Sequence, residues 1–274
     1  MTIFMETSIF QSIILGLVQG IGEFLPISSS GHLVIFPWLF DWQDPGLSFD
    51  VALHAGTLVA VVVYFWRDWI GIFRLAFKIP AKSQGSKVGN YGKNVFWFLV
   101  LATIPGVLAG YFLETKAETV FRNPLVVAFT LSFVGLLLYL ADKSAKHKKN
   151  LEKMTWKDSL IVGLSQALAI IPGVSRSGAT ITAGLLLGMD RVSAARFSFL
   201  LSTPIIFGAT VYKLSELLRN EFTLSMGIGV AVSSASGYLA IKYLLRFVEK
   251  SSYAVFFWYR LVLAGLILGL YFWR

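Results

Sequence analysis

The chain has 274 residues, 56% hydrophobic, 15% aromatic and 14% charged, with 24 Lys and Arg against 15 Asp and Glu for a net charge of +9. A water-soluble domain carries about a quarter charged residues and less than half apolar ones. This balance, at a mean hydropathy of +0.70, therefore excludes a soluble globule and leaves a single integral membrane domain (1–274) with no room for a sizeable soluble module.

Residues 1–8 hold no Lys or Arg, so the start does not read as a cleaved secretory signal. The first apolar stretch, 9–40, is broken in its middle by Pro26-Ile27-Ser28-Ser29-Ser30-Gly31. A spanning helix needs about 20 apolar residues, and each half falls short. Three stretches of suitable length follow, at 49–66, 94–113 and 124–141. Residues 159–188 are broken again, at Pro172-Gly173-Val174-Ser175-Arg176-Ser177-Gly178, and three more spans follow at 193–212, 223–246 and 253–272. Backbone that breaks at membrane depth must be buried in protein or line a wet cavity, because lipid satisfies no hydrogen bonds. The expected fold is all-α and polytopic: six transmembrane helices plus two re-entrant helical hairpins.

Charge placement supports this reading. If each hairpin returns to its own side, segments 67–93, 142–158, 189–192 and 242–252 share one face, and sixteen of the 24 Lys and Arg lie there. The opposite face holds Lys116, Arg122, Lys213, Arg219 and Arg274. The positive-inside rule makes the Lys-rich face cytoplasmic and puts both termini outside. Topology accounts for the basic balance, and nucleic-acid binding is not expected.

A shift of 147 residues aligns Ser12–Gly31 with Ser159–Gly178 without a gap, and eight of the twenty pairs are identical. Each repeat, 1–147 and 148–274, would hold one hairpin and three spans. Three is odd, so the second copy is inverted and the two hairpin tips meet near the midplane, where inverted-repeat proteins place their sites. Shared small-residue composition is the plainer reading of the match, but the identities cluster at the breaks.

Gln19 and Glu23, four residues apart, share one helix face, extended by Ser12 and Gly16. A carboxylate inside a membrane segment is costly and marks function by default; helix packing with Glu23 snorkelling is the alternative. Arg176 stands between Ser175 and Ser177, flanked by Gly173 and Gly178. Such a turn can aim backbone amides at an anion, and a guanidinium forks onto phosphate oxygens. Arg176 could instead merely neutralise Glu23. Two facing tips carrying a carboxylate, hydroxyls and an arginine suffice for phosphoryl transfer, which is mostly positioning and charge neutralisation.

The run Gln19 to Ser29, together with Pro172-Gly173-Val174-Ser175-Arg176-Ser177-Gly178-Ala179-Thr180, resembles the two signature motifs of the bacterial undecaprenyl-diphosphate phosphatase (bacitracin-resistance) family. The resemblance runs over nearly the whole chain. It implies hydrolysis of undecaprenyl diphosphate to undecaprenyl phosphate and inorganic phosphate, recycling the lipid carrier for peptidoglycan and related polymers and conferring bacitracin resistance. It also implies a bacterial inner (cytoplasmic) membrane protein with its active site outside, and active-site roles for Glu23, Ser29, Arg176, Ser175 and Thr180, with Gln19, Ser28 and His32 nearby. Gln19 stands where many members have Glu, which weakens an acid-base role there and metal binding by a carboxylate pair.

From the residues, Ser29 is the expected nucleophile, Glu23 its general base, and Arg176 with backbone amides the diphosphate clamp. His32 is a base, a leaving-group acid, a phosphate ligand or a cap of the hairpin. Gln19, Ser28, Ser30, Gly173, Ser175, Ser177 and Thr180 make the expected substrate-binding set. The metal requirement is open: Mg²⁺ or Ca²⁺ would bind jointly with the substrate's phosphates. The expected partners are membrane lipid and a polyprenyl diphosphate, and a homodimer is left open. Ser30-Gly31-His32 has a superficial likeness to acid-phosphatase-type lipid phosphatases, but those place a second histidine after their arginine motif, and none follows Arg176.

The absence of Cys excludes disulfide frameworks and cysteine nucleophiles, and the three His (His32, His54, His147) are too few for a histidine cage. Asp50 and His54 are expected to pair with each other, with substrate contact as the alternative, Arg196 to snorkel, and Arg260 to be structural unless it meets a phosphate or carboxylate. The aromatic residues suit interface belts and a polyprenyl tail. A secondary transporter or lipid flippase would suit the same inverted repeat. A purely structural component would not explain costly polar groups at both breaks.

Overall fold

The computed structural model describes residues 7–80, 91–118, 121–213 and 223–273. Of the charges used above, Lys82, Lys87, Arg219, Arg274 and the Lys116 side chain lie outside them. Among the described residues the chain is all-helical, apart from an isolated bridge between Lys149 and Met189. The helices are α1 (Ile9–Phe24), α2 (Ser29–Leu39), α3 (Leu47–Ala76), α4 (Val95–Glu118), α5 (Pro124–Ser144), α6 (Trp156–Ala167), α7 (Arg176–Leu186), α8 (Arg191–Tyr212), α9 (Leu224–Val248) and α10 (Ala254–Trp273). Six of them, α3, α4, α5, α8, α9 and α10, are long and apolar enough to cross a membrane.

The first span runs past its expected end at residue 66, continuing to Ala76 through non-helical dihedrals at Phe65. The added charge is absorbed. Asp68 accepts hydrogen bonds from Tyr91 (2.7 Å) and Arg196 (2.7 Å), and the Arg196 guanidinium lies over the Phe65 ring. Arg196 is therefore ion-paired within the protein rather than snorkelling, because α3 supplies a carboxylate at its level.

The two broken stretches each form two short helices. α1 has 16 residues, α2 11, α6 12 and α7 11. At about 1.5 Å per residue none reaches the roughly 30 Å of hydrocarbon. Their starts match as well as their breaks: Ser8 caps α1 in a capping box with Gln11, and Thr155, 147 positions later, caps α6 with Asp158. The halves of the chain interlock, with α1 packed on α9 and α6 on α4.

Small residues make that packing close. A Cβ on Gly20 would lie 2.0 Å from Ser236 Oγ, and one on Gly163 2.7 Å from the Ala102 carbonyl. The Ser12–Gly16 side of α1 is likewise a helix-packing face, where a Cβ on Gly16 would lie 2.6 Å from the Gly229 carbonyl. Phe24 packs edge-on against Phe199 with centroids 5.4 Å apart, anchoring the end of α1 in the core. Outward, Phe129, Val262, Leu266 and Leu224 are exposed, an apolar surface that suits lipid and not water.

Candidate active site

Both turns are built on a left-handed serine. Ser28 (φ 73°) and Ser175 (φ 70°) precede α2 and α7, and each side chain caps its helix by accepting the amide three residues on, Gly31 N–H at 3.2 Å and Gly178 N–H at 3.1 Å. A non-glycine residue pays strain in this region; the caps at both positions offset it. Ser28 Oγ also accepts from Gly173 N–H at 3.1 Å, and Ser177 Oγ donates to the Leu25 carbonyl at 3.1 Å, so the two turns are bonded to each other. Gly173 (φ +89°) is required twice over, since a Cβ there would lie 2.0 Å from Thr130 Oγ1.

Two further side chains tie the turns down. Thr130 of α5 donates to the Pro172 carbonyl at 2.7 Å. Arg260, fully buried in α10, donates to the Pro26 carbonyl at 2.6 Å and the Val174 carbonyl at 3.3 Å. Its partners are carbonyls of both turns and not a carboxylate, which makes it a clamp on the paired tips.

Where the tips meet, one carboxylate gathers the chemistry. Glu23 Oε2 accepts from Ser29 Oγ at 2.9 Å and from Gln19 Nε2 at 3.1 Å, while Oε1 accepts from Arg176 Nε at 3.1 Å. Arg176 Nη1 donates to the Ser198 carbonyl at 2.7 Å, its Nη2 is buried without an acceptor, and Gln19 Oε1 is buried without a donor. The expected Gln19, Glu23, Ser29 and Arg176 are thus within one hydrogen-bonded group. A guanidinium with one nitrogen pair used and one nitrogen free is poised for an anionic oxygen.

The other expected residues stand around it rather than in it. Ser28 and Ser175 are caps, the Ser30 and Ser177 hydroxyls lie 3.4 Å and 3.1 Å from those of Ser28 and Ser175, and Thr180 bonds Ser198 Oγ at 2.7 Å. The expected nest is narrower than its glycines suggest, because serine hydroxyls occupy the amides of Gly173 and Gly178; the amides of Arg176 and Ser177, in the first turn of α7, have no acceptor within their own helix. His32 is turned away from the carboxylate: Nδ1 lies 2.7 Å from the Ser28 carbonyl and Nε2 2.6 Å from the Tyr259 hydroxyl, with the two rings stacked.

Two residues have partners here that the sequence reading did not give them. His54 Nε2 lies 3.4 Å from Glu23 Oε2. The anticipated Asp50–His54 pair does not form, because His54 Nδ1 takes the Asp50 backbone carbonyl at 2.7 Å while the Asp50 carboxylate pairs with Arg122 at 3.1 Å. Ser198 walls the Arg176 side. The sequence signal for His54 was its being a histidine in a span; sequence spacing pointed to the wrong partner, and only the packing of α3 beside α1 supplies the right one.

The donor set does not fit a resident divalent cation. Hard ions take six or more oxygens, whereas here a single carboxylate has both oxygens engaged, one of them by a guanidinium. No cluster of three His, Asp or Glu that could hold a metal occurs among the described residues.

This arrangement can be set beside known proteins. The sequence model of the family "Bacitracin resistance protein BacA" matches residues 12–266. Proteins named undecaprenyl-diphosphatase from Moorella thermoacetica, Pelotomaculum thermopropionicum and Desulforudis audaxviator are 51%, 50% and 51% identical to this chain, over 97%, 94% and 93% of it and 99%, 95% and 94% of their own lengths. The match takes in both turns and every residue around Glu23, and the chain belongs to the bacitracin resistance protein BacA family.

Proposed function

We propose that this multi-pass membrane protein is an undecaprenyl-diphosphate phosphatase, releasing inorganic phosphate and the lipid monophosphate carrier and thereby conferring bacitracin resistance. Relatives of that name at about 50% identity support the reaction. The observation that carries the site is the hydrogen bond of Ser29 to a carboxylate whose other oxygen is held by Arg176.

In this reading Ser29 attacks the terminal phosphorus as its proton passes to Glu23. Arg176, through its free Nη2 and the α7 amides behind it, neutralises the transferring group. Gln19 fixes the carboxylate rotamer. Ser28, Ser175, Ser177, Gly173, Thr130 and Arg260 hold the tips in register, and His32 with Tyr259 braces the Ser28 turn. Any Mg²⁺ or Ca²⁺ would arrive on the diphosphate, since both oxygens of the Glu23 carboxylate are already engaged.

The two broken segments are read as re-entrant hairpins of an inverted repeat, supported by four helices too short to cross and by the matching caps at Ser8 and Thr155. The site then opens to the outer face of the inner membrane, with the Lys-rich loops cytoplasmic. The test is phosphate release from undecaprenyl diphosphate in detergent. Ser29→Ala, Glu23→Gln and Arg176→Ala should each lower kcat/KM by about 10³-fold, and wild-type turnover in all three would remove the site. A cysteine replacing Lys148 should be labelled only from the cytoplasm.

A further inference from the structure

His54 lies outside both sequence motifs, yet it is the fourth group on the reacting carboxylate. Its Nδ1 faces the Asp50 carbonyl at 2.7 Å. A carbonyl oxygen only accepts, so Nδ1 carries a hydrogen. That sets the tautomer, and in the neutral ring Nε2 presents a lone pair to Glu23 Oε2, 3.4 Å away. Two acceptors facing each other hold one proton between them. Glu23 with His54 is therefore a pair built to take up a single proton, whichever of the two carries it.

We infer that His54 is a positioning residue that also stores the proton of the reaction, accepting through Glu23 what Ser29 gives up and passing it to water. The inference rests on the Ser29–Glu23 reading above. In the first step the Ser29 Oγ–phosphorus bond forms and the bond from that phosphorus to the bridging oxygen breaks. The lipid monophosphate leaves with the electron pair, and the serine proton enters the Glu23–His54 pair. In the second step water attacks the phosphoserine, Ser29 leaves and regains a proton from the pair, and the pair takes one from the water. From a fully ionised diphosphate the products are lipid phosphate, hydrogen phosphate and one proton. That proton needs an exit: Glu23 is 6% exposed, but the His54 side chain is 27% exposed.

The groups facing His54 are few. α1 brings Glu23, whose far oxygen holds Arg176 of α7; its own helix brings Asp50, neutralised by Arg122. α9, also packed on α3, contributes the Ser233 hydroxyl, bonded to the Leu53 carbonyl, and α8 brings its Arg196 only farther along, at Asp68. Nε2 here thus faces one side-chain acceptor, the Glu23 oxygen that also receives Ser29 and Gln19.

The experiment is the pH dependence of undecaprenyl diphosphate hydrolysis by the full chain in detergent. Wild type should slow in acid, as the pair fills before Ser29 can donate. His54→Gln, which keeps a donor toward Glu23 but does not titrate, should lower kcat about 10²-fold at near-constant KM and move that acid limb to lower pH, where Glu23 alone titrates. An unmoved acid limb in H54Q overturns the inference. If H54Q does not fold, His54→Ala decides: imidazole added to H54A should restore turnover, and no restoration overturns the proposal equally. Full activity in S29A and E23Q would instead remove the site itself, whereas their inactivity beside an unchanged H54Q removes only His54's role.

Discussion

The two turns share a backbone and differ in chemistry. Each is a left-handed serine that caps the next helix through the amide three residues on, with a second serine hydroxyl at its side. At matching positions they diverge: Glu23 faces Ile170 in the alignment, Ser29 faces Arg176, and Gln19 holds the Glu23 carboxylate while Gln166 holds the Ala102 carbonyl. One turn carries the negative charge and the hydroxyl, the other the positive charge. Using a strained turn twice gives two rigid tips, and dividing the charge between them makes their meeting favourable, since a lone buried charge is far costlier than a paired one.

The division of charge can be broken directly. Glu23→Ala leaves Arg176 buried without its carboxylate and should cost about 3–5 kcal/mol. Glu23→Ala with Arg176→Ala should cost less than the two single changes summed, as read by thermal unfolding in detergent through a double-mutant cycle. Strict additivity would mean that the tips do not depend on each other's charge.

The shared backbone gives a finer test. Ser28→Ala removes a cap and also the bond to Gly173 N–H, and should cost about 2 kcal/mol; Ser175→Ala removes the corresponding cap without a bond between the turns, at about 1 kcal/mol. Equal losses would show that the bond between the tips contributes nothing. An effect as small as that of Ser175→Ala is expected for Thr130→Val, which removes the donor to the Pro172 carbonyl and should also cost about 1 kcal/mol. A larger loss than for Ser28→Ala would reverse the order of importance of the two turns.

Hydropathy located the six long helices because a lipid-facing helix must be apolar along its whole length, and Phe129 or Val262 face outward for that reason. Glu23, Ser29 and Arg176 were legible for the opposite reason: polar groups beside Gly and Pro in apolar stretches have no structural excuse. The roles of Ser28 and Ser175 were harder to read, since a capping hydroxyl and a substrate-binding one look alike in sequence, and the cap shows only in the φ of the turn. Arg196 and Arg260 were visible as cations within apolar spans, but whether each met a carboxylate or carbonyls depended on which helix lay alongside.

What the sequence determined by itself was therefore what a one-dimensional pattern can carry: helix lengths, the two breaks, the 147-residue correspondence and the residue types gathered at the breaks. Only the tertiary structure decided partners. It set α3 beside α1 so that His54 reaches Glu23, gave Asp50 to Arg122, turned His32 toward Tyr259 and closed Arg260 over both turns. The physical reason is range. Periodicity and turn chemistry act within a few residues, whereas an ion pair or a buried hydrogen bond is fixed by whichever group packing brings within about 3 Å, however far away it lies in the chain.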